Sequence, residues 1–230
     1  MIPKIIHYCW FGRGQMPELG VKCIESWKKF LPDYQLMLWN EDSFDVNQLR
    51  FTREAYAQKR YAFVTDYVRL WALNTYGGVY MDTDVEIIRN IDSFLEFPAF
   101  SGFESNDLIP TGIMASVPQA RWLQPLLAYY DKKPFVRWNG RLNRTPNTLI
   151  ISRIFNKRGI RLDNSYQVWE NELHLFPQDY FCPKSYRTGK IECTDNTYSI
   201  HHFAGSWTEA AQQNRQRFGA IRRCLKRLFS

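Results

Sequence analysis

The sequence predicts an α/β domain with a mostly parallel central sheet flanked by helices and a C-terminal helix. Short apolar segments typical of buried strands lie at residues 2–10, 34–39 and 79–81. Residues 18–30 carry apolar side chains at helical spacing, and a long helical segment at 53–75 ends at a Gly-Gly pair. Strands that alternate with helices in this way favour a parallel sheet with helices on its faces.

The second half of the chain predicts shorter elements. Residues 98–117 hold one or two strands, and residues 118–131 are helical after a proline. The basic stretch 132–147 is loop-like, residues 148–155 fit either a helix or a strand, and residues 160–200 combine short strands with turns. Since no repeat or low-complexity linker divides the chain, we predict one domain over residues 1–230.

Charge and cysteine content exclude several classes of protein. The net charge is +7, but from Arg215 onward there are six basic residues and no acidic one, so the rest is close to balanced. A uniform positive field for nucleic acid is therefore not predicted. The five cysteines lack CxxC spacing and suit a reducing compartment. Because neither a signal peptide nor a membrane span is recognisable, we expect a cytoplasmic protein.

An acidic pair follows the third predicted strand directly. Asp82 and Asp84 flank Thr83 at the end of the apolar segment Val79-Tyr80-Met81. Ligands of open α/β sheets bind beyond the carboxyl ends of strands. Two such close carboxylates repel each other unless a cation or ligand hydroxyls use them, and carboxylates with diphosphate oxygens suit Mg²⁺ or Mn²⁺. The alternative is a polar strand end with two solvated aspartates.

A second pair of charges lies in the helix before this strand. Asp66 and Arg69 are three residues apart, so they share one helix face. The segment is apolar around much of its circumference, and buried charges are costly unless they are paired or used by a ligand. The pair is thus either a structural ion pair or part of a binding site.

Three segments in fixed order resemble a known family. Residues 5–12 (IIHYCWFG), 63–69 (FVTDYVR) and 76–84 (YGGVYMDTD) resemble the glycosyltransferases of family 32 with a DxD sugar-binding motif. That family includes bacterial capsular polysaccharide synthesis proteins and yeast-type mannosyltransferases, and it is distantly similar to the glucosyltransferase domains of clostridial toxins. The resemblance is strong over residues 1–95 and returns at 201–207.

The resemblance implies a GT-A fold that binds a nucleotide-sugar with Mn²⁺ or Mg²⁺ and retains the anomeric configuration. Asp84 would ligate the metal, and Asp82 would bind ribose or sugar hydroxyls and reach the metal through water. Asp66 and Arg69 would hold the hydroxyls of the donor sugar. Further donor contacts are expected at Trp10, Asn40 and Tyr80. For Trp10, a place in the core is the alternative.

The resemblance also implies a C-terminal segment that closes the metal site. His202 is the preferred third ligand, because Gly205 follows it at the spacing seen in GT-A enzymes, and His201 would then be structural. Ser206 and the indole of Trp207 would contact the metal and the β-phosphate. Residues 1–100 would be the nucleotide-sugar-binding half, and residues 101–207 the acceptor side.

The donor implied by the bacterial relatives is a UDP-hexose or UDP-N-acetylhexosamine. The acceptor would be a hydroxyl of a saccharide in capsule, exopolysaccharide or lipopolysaccharide synthesis. Acceptor contacts are expected within 105–150 and 180–190. The candidates there are Trp138, Asn139 and Asn147.

Two other functions remain open at this point. Asp82-Thr83-Asp84-Val85 also fits the nucleophile motif of haloacid-dehalogenase-type phosphatases, although the later acidic doublet that binds their Mg²⁺ is missing. A non-catalytic carbohydrate- or nucleotide-binding protein is the other alternative. Metal-dependent UDP binding would separate a nucleotide-sugar site from nucleic-acid binding, which would instead depend steeply on salt.

The last segment, residues 208–230, predicts a basic amphipathic helix. Phe218, Ile221, Leu225 and Leu228 share one face, and basic residues occupy much of the rest. Such a helix either docks on an anionic membrane, which would place the enzyme on the inner face of the cytoplasmic membrane beside a lipid-linked acceptor, or packs on the domain with a solvated basic face.

Overall fold

The computed structural model describes residues 1–109 and 112–205. Its strands are β1 (Ile5–Cys9), β2 (Gln35–Trp39), β3 (Gly78–Met81), β4 (Val85–Ile87), β5 (Ala99–Gly102), β6 (Ile113–Ser116), β7 (Gln167–Trp169), β8 (Leu173–Phe176) and β9 (Ser199–His201). Its α-helices are α1 (Glu18–Phe30), α2 (Arg50–Ala57), α3 (Tyr61–Tyr76), α4 (Gln124–Asp131), α5 (Asn147–Asn156) and α6 (Gln178–Phe181). Short 3-10 helices span Asp92–Glu96 and Arg121–Leu123. The predicted helix at 208–230 lies outside the described residues.

A mixed central sheet organises the domain. Within the described residues it has seven strands in the order β2-β1-β3-β6-β5-β8-β7. β1 pairs in parallel with β2 and β3, and β5 pairs in parallel with β8. β6 runs antiparallel to both β3 and β5, and β7 is antiparallel to β8. The α/β fold is confirmed, whereas the mostly parallel pairing is corrected to a mixed sheet, because two strands return without a helical crossover.

Helices cover both faces of this sheet. Tyr80 belongs to the apolar cluster under α2 to α5, whereas its neighbours Val79 and Met81 belong to the cluster that includes Trp27 of α1. This alternation follows from the two-residue period of a strand. All four residues of β3 are buried, so the strand that precedes the acidic pair lies in the interior of the domain.

The long helix predicted at 53–75 is two helices. α2 ends with Lys59 at a φ of 56°, and the amide of Arg60 donates to the carbonyl of Ala55 over 2.9 Å. This is a Schellman ending, which glycine usually provides. A lysine in that position carries no sequence signal, so the prediction of a continuous helix was wrong there.

The remaining predicted elements have simpler outcomes. The segment at 148–155 is a helix, α5, and the segment at 98–117 forms two strands. No helix among residues 1–109 and 112–205 is both long and apolar enough to cross a membrane.

Candidate active site

Strand β3, which precedes the acidic pair, is held at its N-terminal end by a hydrogen bond from His7. His7 of β1 accepts a hydrogen bond at Nδ1 from the indole of Trp39 (3.1 Å), so its Nε2 carries the proton and donates to the carbonyl of Gly77 (2.7 Å). Burial lowers the pKa of His7, which keeps the ring neutral for this role. Gly78 has a φ of 104°, and a Cβ there would lie 2.7 Å from the carbonyl oxygen of Ile5. The start of β3 therefore requires glycine.

The acidic pair occupies the turn between the two sheets of the molecule. The amide of Asp82 donates to Gly112 (2.8 Å), and the amide of Val85 donates back to the carbonyl of Asp82 (3.0 Å). After this turn β4 leaves the central sheet and pairs antiparallel with β9, which places Val85 opposite His201. The turn thus brings the two carboxylates to the C-terminal segment of the described chain.

Asp82 belongs to a group that we call the arginine cluster, which also contains Asp66, Arg69 and Tyr80. Arg69 is only 5% exposed, and its Nη2 lies 3.3 Å from Oδ1 of both Asp66 and Asp82. Its guanidinium stacks over the ring of Tyr80 at 4.7 Å, and the Tyr80 hydroxyl donates to Asp82 over 2.5 Å. One buried cation therefore contacts two carboxylates in a compact arrangement of charges.

Burial sets the protonation of this cluster. It raises the pKa of Asp66 to about 6, because desolvation outweighs the attraction of Arg69. Desolvation likewise raises the pKa of Asp82 against the opposing effects of Arg69 and His201. Both carboxylates are therefore held in an unfavourable environment, which is characteristic of a functional site.

Asp84, the second aspartate of the acidic pair, lies beside His201. We call these two residues the cation-side pair. The Nε2 atom of His201 lies 3.4 Å from Oδ1 of Asp84, and the amide of Ala204 donates to Oδ2 over 2.7 Å. Burial alone would raise the pKa of Asp84, but the contacts with His201 and the Ala204 amide outweigh it and lower the pKa to about 2. Asp84 is therefore ionised throughout the neutral range.

These residues suit a divalent cation. Asp82, Asp84 and His201 each offer one ligand atom, and the three atoms lie within 4.8 Å of one another. Ligands at about 2.1 Å around an octahedral ion are about 3 Å apart when adjacent. Nδ1 of His201 is buried and makes no hydrogen bond of ordinary geometry among the described residues, although the weakly polar thiol of Cys182 interacts with the ring. Two carboxylates and an imidazole fit Mn²⁺ or Mg²⁺.

The structure places His201 at the acidic pair, rather than the His202 that the sequence analysis preferred as metal ligand. His202 points away from the acidic pair, and its Nε2 lies 2.8 Å from the carboxylate of Glu86. Side chains alternate across β9, so only one of two consecutive histidines can face the carboxylates. The structure brings His201 to them, and a sequence of two adjacent histidines could not decide between the faces.

Trp10 and Asn40 follow β1 and β2, the two strands that run parallel to β3 on one side of it. They therefore lie at the same edge of the sheet as Asp82, as a nucleotide site requires. The Trp10 indole donates to the carbonyl of Gly14 (2.6 Å), and the Asn40 side chain accepts from the amide of Asp42 (2.9 Å). Both side chains hold local turns, and their contact with a base stays a prediction. Ser206 and Trp207 lie outside the described residues.

Two groups join the site that sequence patterns did not assign to it. Nδ2 of Asn147, at the start of α5, donates to the carbonyl of Asp66 (3.2 Å), and its Oδ1 is buried without a partner among the described residues. Asn147 was expected on the acceptor side, but it lies at the arginine cluster. Glu104 follows β5; burial raises its pKa, and it interacts electrostatically with His201 and Asp82. A glutamate in a loop carries no sequence signal of such a position.

Gly112 has no side chain, and the ring of His201 occupies the space that a side chain would take. A Cβ on Gly112 would lie 3.0 Å from Nδ1 of His201. The same glycine accepts the hydrogen bond of the Asp82 amide, so it positions both parts of the site. A separate cavity of about 440 Å³ is lined by residues 158–161 and 166–170. None of the residues of the candidate site lines this cavity.

The phosphatase alternative loses support from this geometry. Its nucleophile would be Asp82, but Oδ1 of Asp82 accepts the Tyr80 hydroxyl and lies beside Arg69. These contacts engage one oxygen of the carboxylate that would have to attack phosphorus. The geometry instead favours Asp82 as an acceptor for ligand hydroxyls.

Comparison with known proteins agrees with this site. Residues 17–101 match the family described as "Glycosyltransferase sugar-binding region containing DXD motif". Mannosyl phosphorylinositol ceramide synthase CSH1 of Saccharomyces cerevisiae is 27% identical over 193 residues, which are 78% of this chain and 49% of the relative. Inositol phosphoceramide mannosyltransferase 3 of Schizosaccharomyces pombe is 34% identical over 120 residues, or 50% of this chain and 32% of the relative. The chain thus spans half or less of the length of these relatives.

A solved structure shares the fold. The PaToxG glycosyltransferase superposes with a TM-score of 0.53 at 17% identity, covering 68% of this chain and 69% of that protein. At this identity the likeness shows the fold alone, and it confirms the predicted glycosyltransferase fold of the GT-A type. The matched segment includes Asp66, Arg69, Asp82 and Asp84, so the part of this chain that carries the candidate site is similar to the glycosyltransferase sugar-binding region that contains the DXD motif.

Proposed function

We propose that this protein transfers a sugar from a nucleotide-diphosphate sugar to a hydroxyl of an acceptor, with a divalent cation held by Asp82, Asp84 and His201. One observation carries the proposal. Residues from distant parts of the chain, Asp84 and His201, meet within 3.4 Å directly beside the buried Arg69 with its two carboxylates. A cation site and a hydroxyl-binding site thus share one turn of the backbone.

The donor would lie across this turn. When bound, the cation would neutralise the charge that develops on the departing diphosphate. Asp66, Asp82 and the partnerless Oδ1 of Asn147 would accept hydrogen bonds from sugar hydroxyls, and Arg69 would donate to them. Because the leaving group is already an anion, no general acid is needed, unlike in glycoside hydrolysis.

The stereochemical course is proposed to be retention by a front-face reaction. A double displacement needs a carboxylate that is free to attack the sugar. Asp66 and Asp82 are paired with Arg69, and Asp84 is assigned to the cation, so Glu104 is the partly buried acid to test among the described residues that interact with the cluster. A covalent sugar adduct on Glu104, found by mass spectrometry after donor alone is added, would contradict the front-face course.

The donor is proposed to be a UDP-hexose or UDP-N-acetylhexosamine, and the acceptor a saccharide, in bacterial surface polysaccharide synthesis in the cytoplasm. The names of the fungal relatives add mannose to the donors worth testing. The decisive experiment is a hydrolysis screen over UDP- and GDP-sugars with Mn²⁺, with EDTA, and with EDTA followed by excess Mn²⁺. We expect release of one nucleoside diphosphate that EDTA abolishes and Mn²⁺ restores.

Two outcomes would contradict the proposal. Metal-dependent UDP binding without any sugar release or transfer would indicate a binding protein. Hydrolysis of p-nitrophenyl phosphate in the absence of nucleotide-sugar turnover would indicate a phosphatase. The variant Asp84→Asn is the control in the screen, because any activity that survives in it comes from a different site or a contaminant.

A further inference from the structure

A basic hairpin connects α4 with α5. Val136 and Leu142 pair as an isolated antiparallel bridge, and the amide of Arg137 donates to the carbonyl of Arg141 over 2.8 Å. The turn is closed by the Gly140 amide, which donates back to the carbonyl of Arg137 (2.9 Å). Residues 136–142, which we call the basic hairpin, are therefore an ordered element within a stretch that the sequence predicts as a loop.

The stem of the basic hairpin is anchored in the core. Phe135 is fully buried, and its ring packs on Phe51 and Phe63 with centroids 5.4 and 5.1 Å away. The Glu54 carboxylate of α2 accepts the amide of Val136 (2.8 Å), and the amide of Asn143 donates to Phe135 (2.7 Å). Because the stem is fixed on both sides, the tip is held away from the domain.

The tip presents an indole and positive charge to solvent. The side chain of Trp138 is 98% exposed, and Arg137 and Arg141 on either side of it are exposed as well. From Lys132 to Leu162 the chain contains no acidic residue. Isolated exposed apolar residues are ordinary. Here, however, the exposed indole of Trp138 lies between two arginines and loses much of the favourable free energy of burial. This combination matches the interfacial region of a membrane, where tryptophan rings and arginines collect.

We infer that the basic hairpin docks on an anionic lipid bilayer, with Trp138 in the headgroup region and Arg137 and Arg141 at lipid phosphates. Amphipathic elements with Lys or Arg and Trp bind anionic interfaces through both apolar burial and charge. Each basic residue near such a surface contributes about 1 kcal/mol. The hairpin is thus a membrane contact that is separate from residues 208–230.

Docking through this hairpin would place the candidate site beside lipid-borne acceptors. Leu142 precedes Asn147 by five residues, a span of at most about 18 Å, and Asn147 bonds to the backbone of Asp66. The acceptor would then be a saccharide or polyol on a lipid. The inference about the acceptor rests on the proposed function, whereas membrane docking by the basic hairpin does not.

The test uses the full chain and two kinds of vesicle, neutral phosphatidylcholine and a mixture of seven parts phosphatidylcholine with three parts phosphatidylglycerol. The variants are Trp138→Ala and the double variant Arg137→Gln/Arg141→Gln. The matched control is Lys157→Gln/Arg158→Gln, which removes the same charge from exposed positions outside the hairpin. We expect the wild type to co-sediment with anionic vesicles only. Each hairpin variant should lose about tenfold or more in vesicle affinity, and the control should stay within about threefold.

Equal vesicle affinity of the wild type and both hairpin variants would overturn the inference, and so would a wild type that ignores anionic vesicles at low salt. Loss of single-stranded RNA binding in the arginine double variant, with vesicle binding intact, would assign the hairpin to nucleic acid instead. Donor hydrolysis in solution separates this inference from the proposed function. It should be unchanged in the arginine double variant and absent in Asp84→Asn, so the docking and the reaction can fail independently.

Discussion

Asp82 and Asp84 lie two residues apart on one turn, yet the structure gives them opposite environments. Asp82 shares the buried Arg69 with Asp66 and accepts the Tyr80 hydroxyl, and desolvation raises its pKa. Asp84 is partly buried, but its contacts with His201 and the Ala204 amide lower its pKa to about 2. Asp82 therefore belongs to both the arginine cluster and the candidate cation site, whereas Asp84 belongs to the candidate cation site alone.

This difference shows that the neighbours, rather than the motif, assign the role of each aspartate. A carboxylate with a lowered pKa stays ionised and can bind a cation at any neutral pH. A carboxylate beside a shared arginine is better suited to accept hydrogen bonds from hydroxyls. The four predictions that follow test this division of labour, from the largest expected effect to the smallest.

The largest effect is expected for Asp84→Asn. The variant loses a charged ligand of the cation, so we expect turnover of the nucleotide-sugar to fall by about 10³-fold or more. Circular dichroism should show that the variant is folded, although its unfolding midpoint should fall, because the ionised carboxylate of Asp84 interacts with His201 and the Ala204 amide in the folded state. Near-normal turnover in a folded variant would remove the cation-side pair from the mechanism.

A somewhat smaller effect is expected for Arg69→Lys. Lysine keeps the charge but cannot reach two carboxylates with one planar fork or stack on Tyr80 in the same way. We expect kcat/KM for the donor to fall by about 10²-fold. Binding of the nucleoside diphosphate alone, measured by calorimetry with Mn²⁺, should change little. If diphosphate binding fell as much as kcat/KM, the arginine cluster would not be a sugar site.

The two histidines provide a matched comparison. His201→Gln should weaken the apparent affinity for Mn²⁺ by about 10–100-fold, as judged from activity titrated with the metal. His202→Gln loses a contact with Glu86 at the surface, and its Mn²⁺ titration should match that of the wild type. The reverse result, in which only His202→Gln raises the Mn²⁺ requirement, would restore the ligand predicted from sequence.

The smallest effect concerns stability and is expected for Asp66→Asn. Burial raises the pKa of Asp66 to about 6, above its ordinary value of 3.8. The folded state therefore binds the proton more tightly than the unfolded state, so the contribution of this group to the free energy of unfolding falls as the pH rises from about 4 to 6. An amide cannot ionise, and the variant should be more stable than the wild type by on the order of 1 kcal/mol at pH 7.

Urea unfolding at pH 4 and pH 7 measures this gain. The difference between Asp66→Asn and the wild type should shrink toward pH 4, where the folded-state carboxyl is protonated and the unfolded-state carboxyl is about half protonated. The same variant should lose activity toward the donor. A variant that is less stable than the wild type at pH 7 would mean that Asp66 is needed to hold Arg69 rather than to bind sugar.

The sequence predicted the parts of the site that are encoded locally. The apolar strand that ends at Asp82 and the shared helix face of Asp66 and Arg69 are short-range patterns, and α1 was predicted with its observed bounds at Glu18–Phe30. Patterns of this kind fail where a residue adopts an unusual backbone conformation or where the deciding contact is distant in the sequence. The break before Arg60 depends on a lysine in a left-handed conformation, and the return of β6 between β3 and β5 depends on pairing across the sheet.

By itself, the sequence determined the α/β fold class, the resemblance to a glycosyltransferase family and the place of the acidic pair at a strand end, because strand periodicity and a motif of neighbouring residues are local properties. Tertiary structure alone decided that His201 rather than His202 joins Asp84, that Asn147 lies at Asp66, and that Glu104 is close to both clusters. The physical reason is that side chains in a strand alternate between faces. Which face meets the carboxylates is set by the pairing of β9 with β4, a contact between segments more than a hundred residues apart.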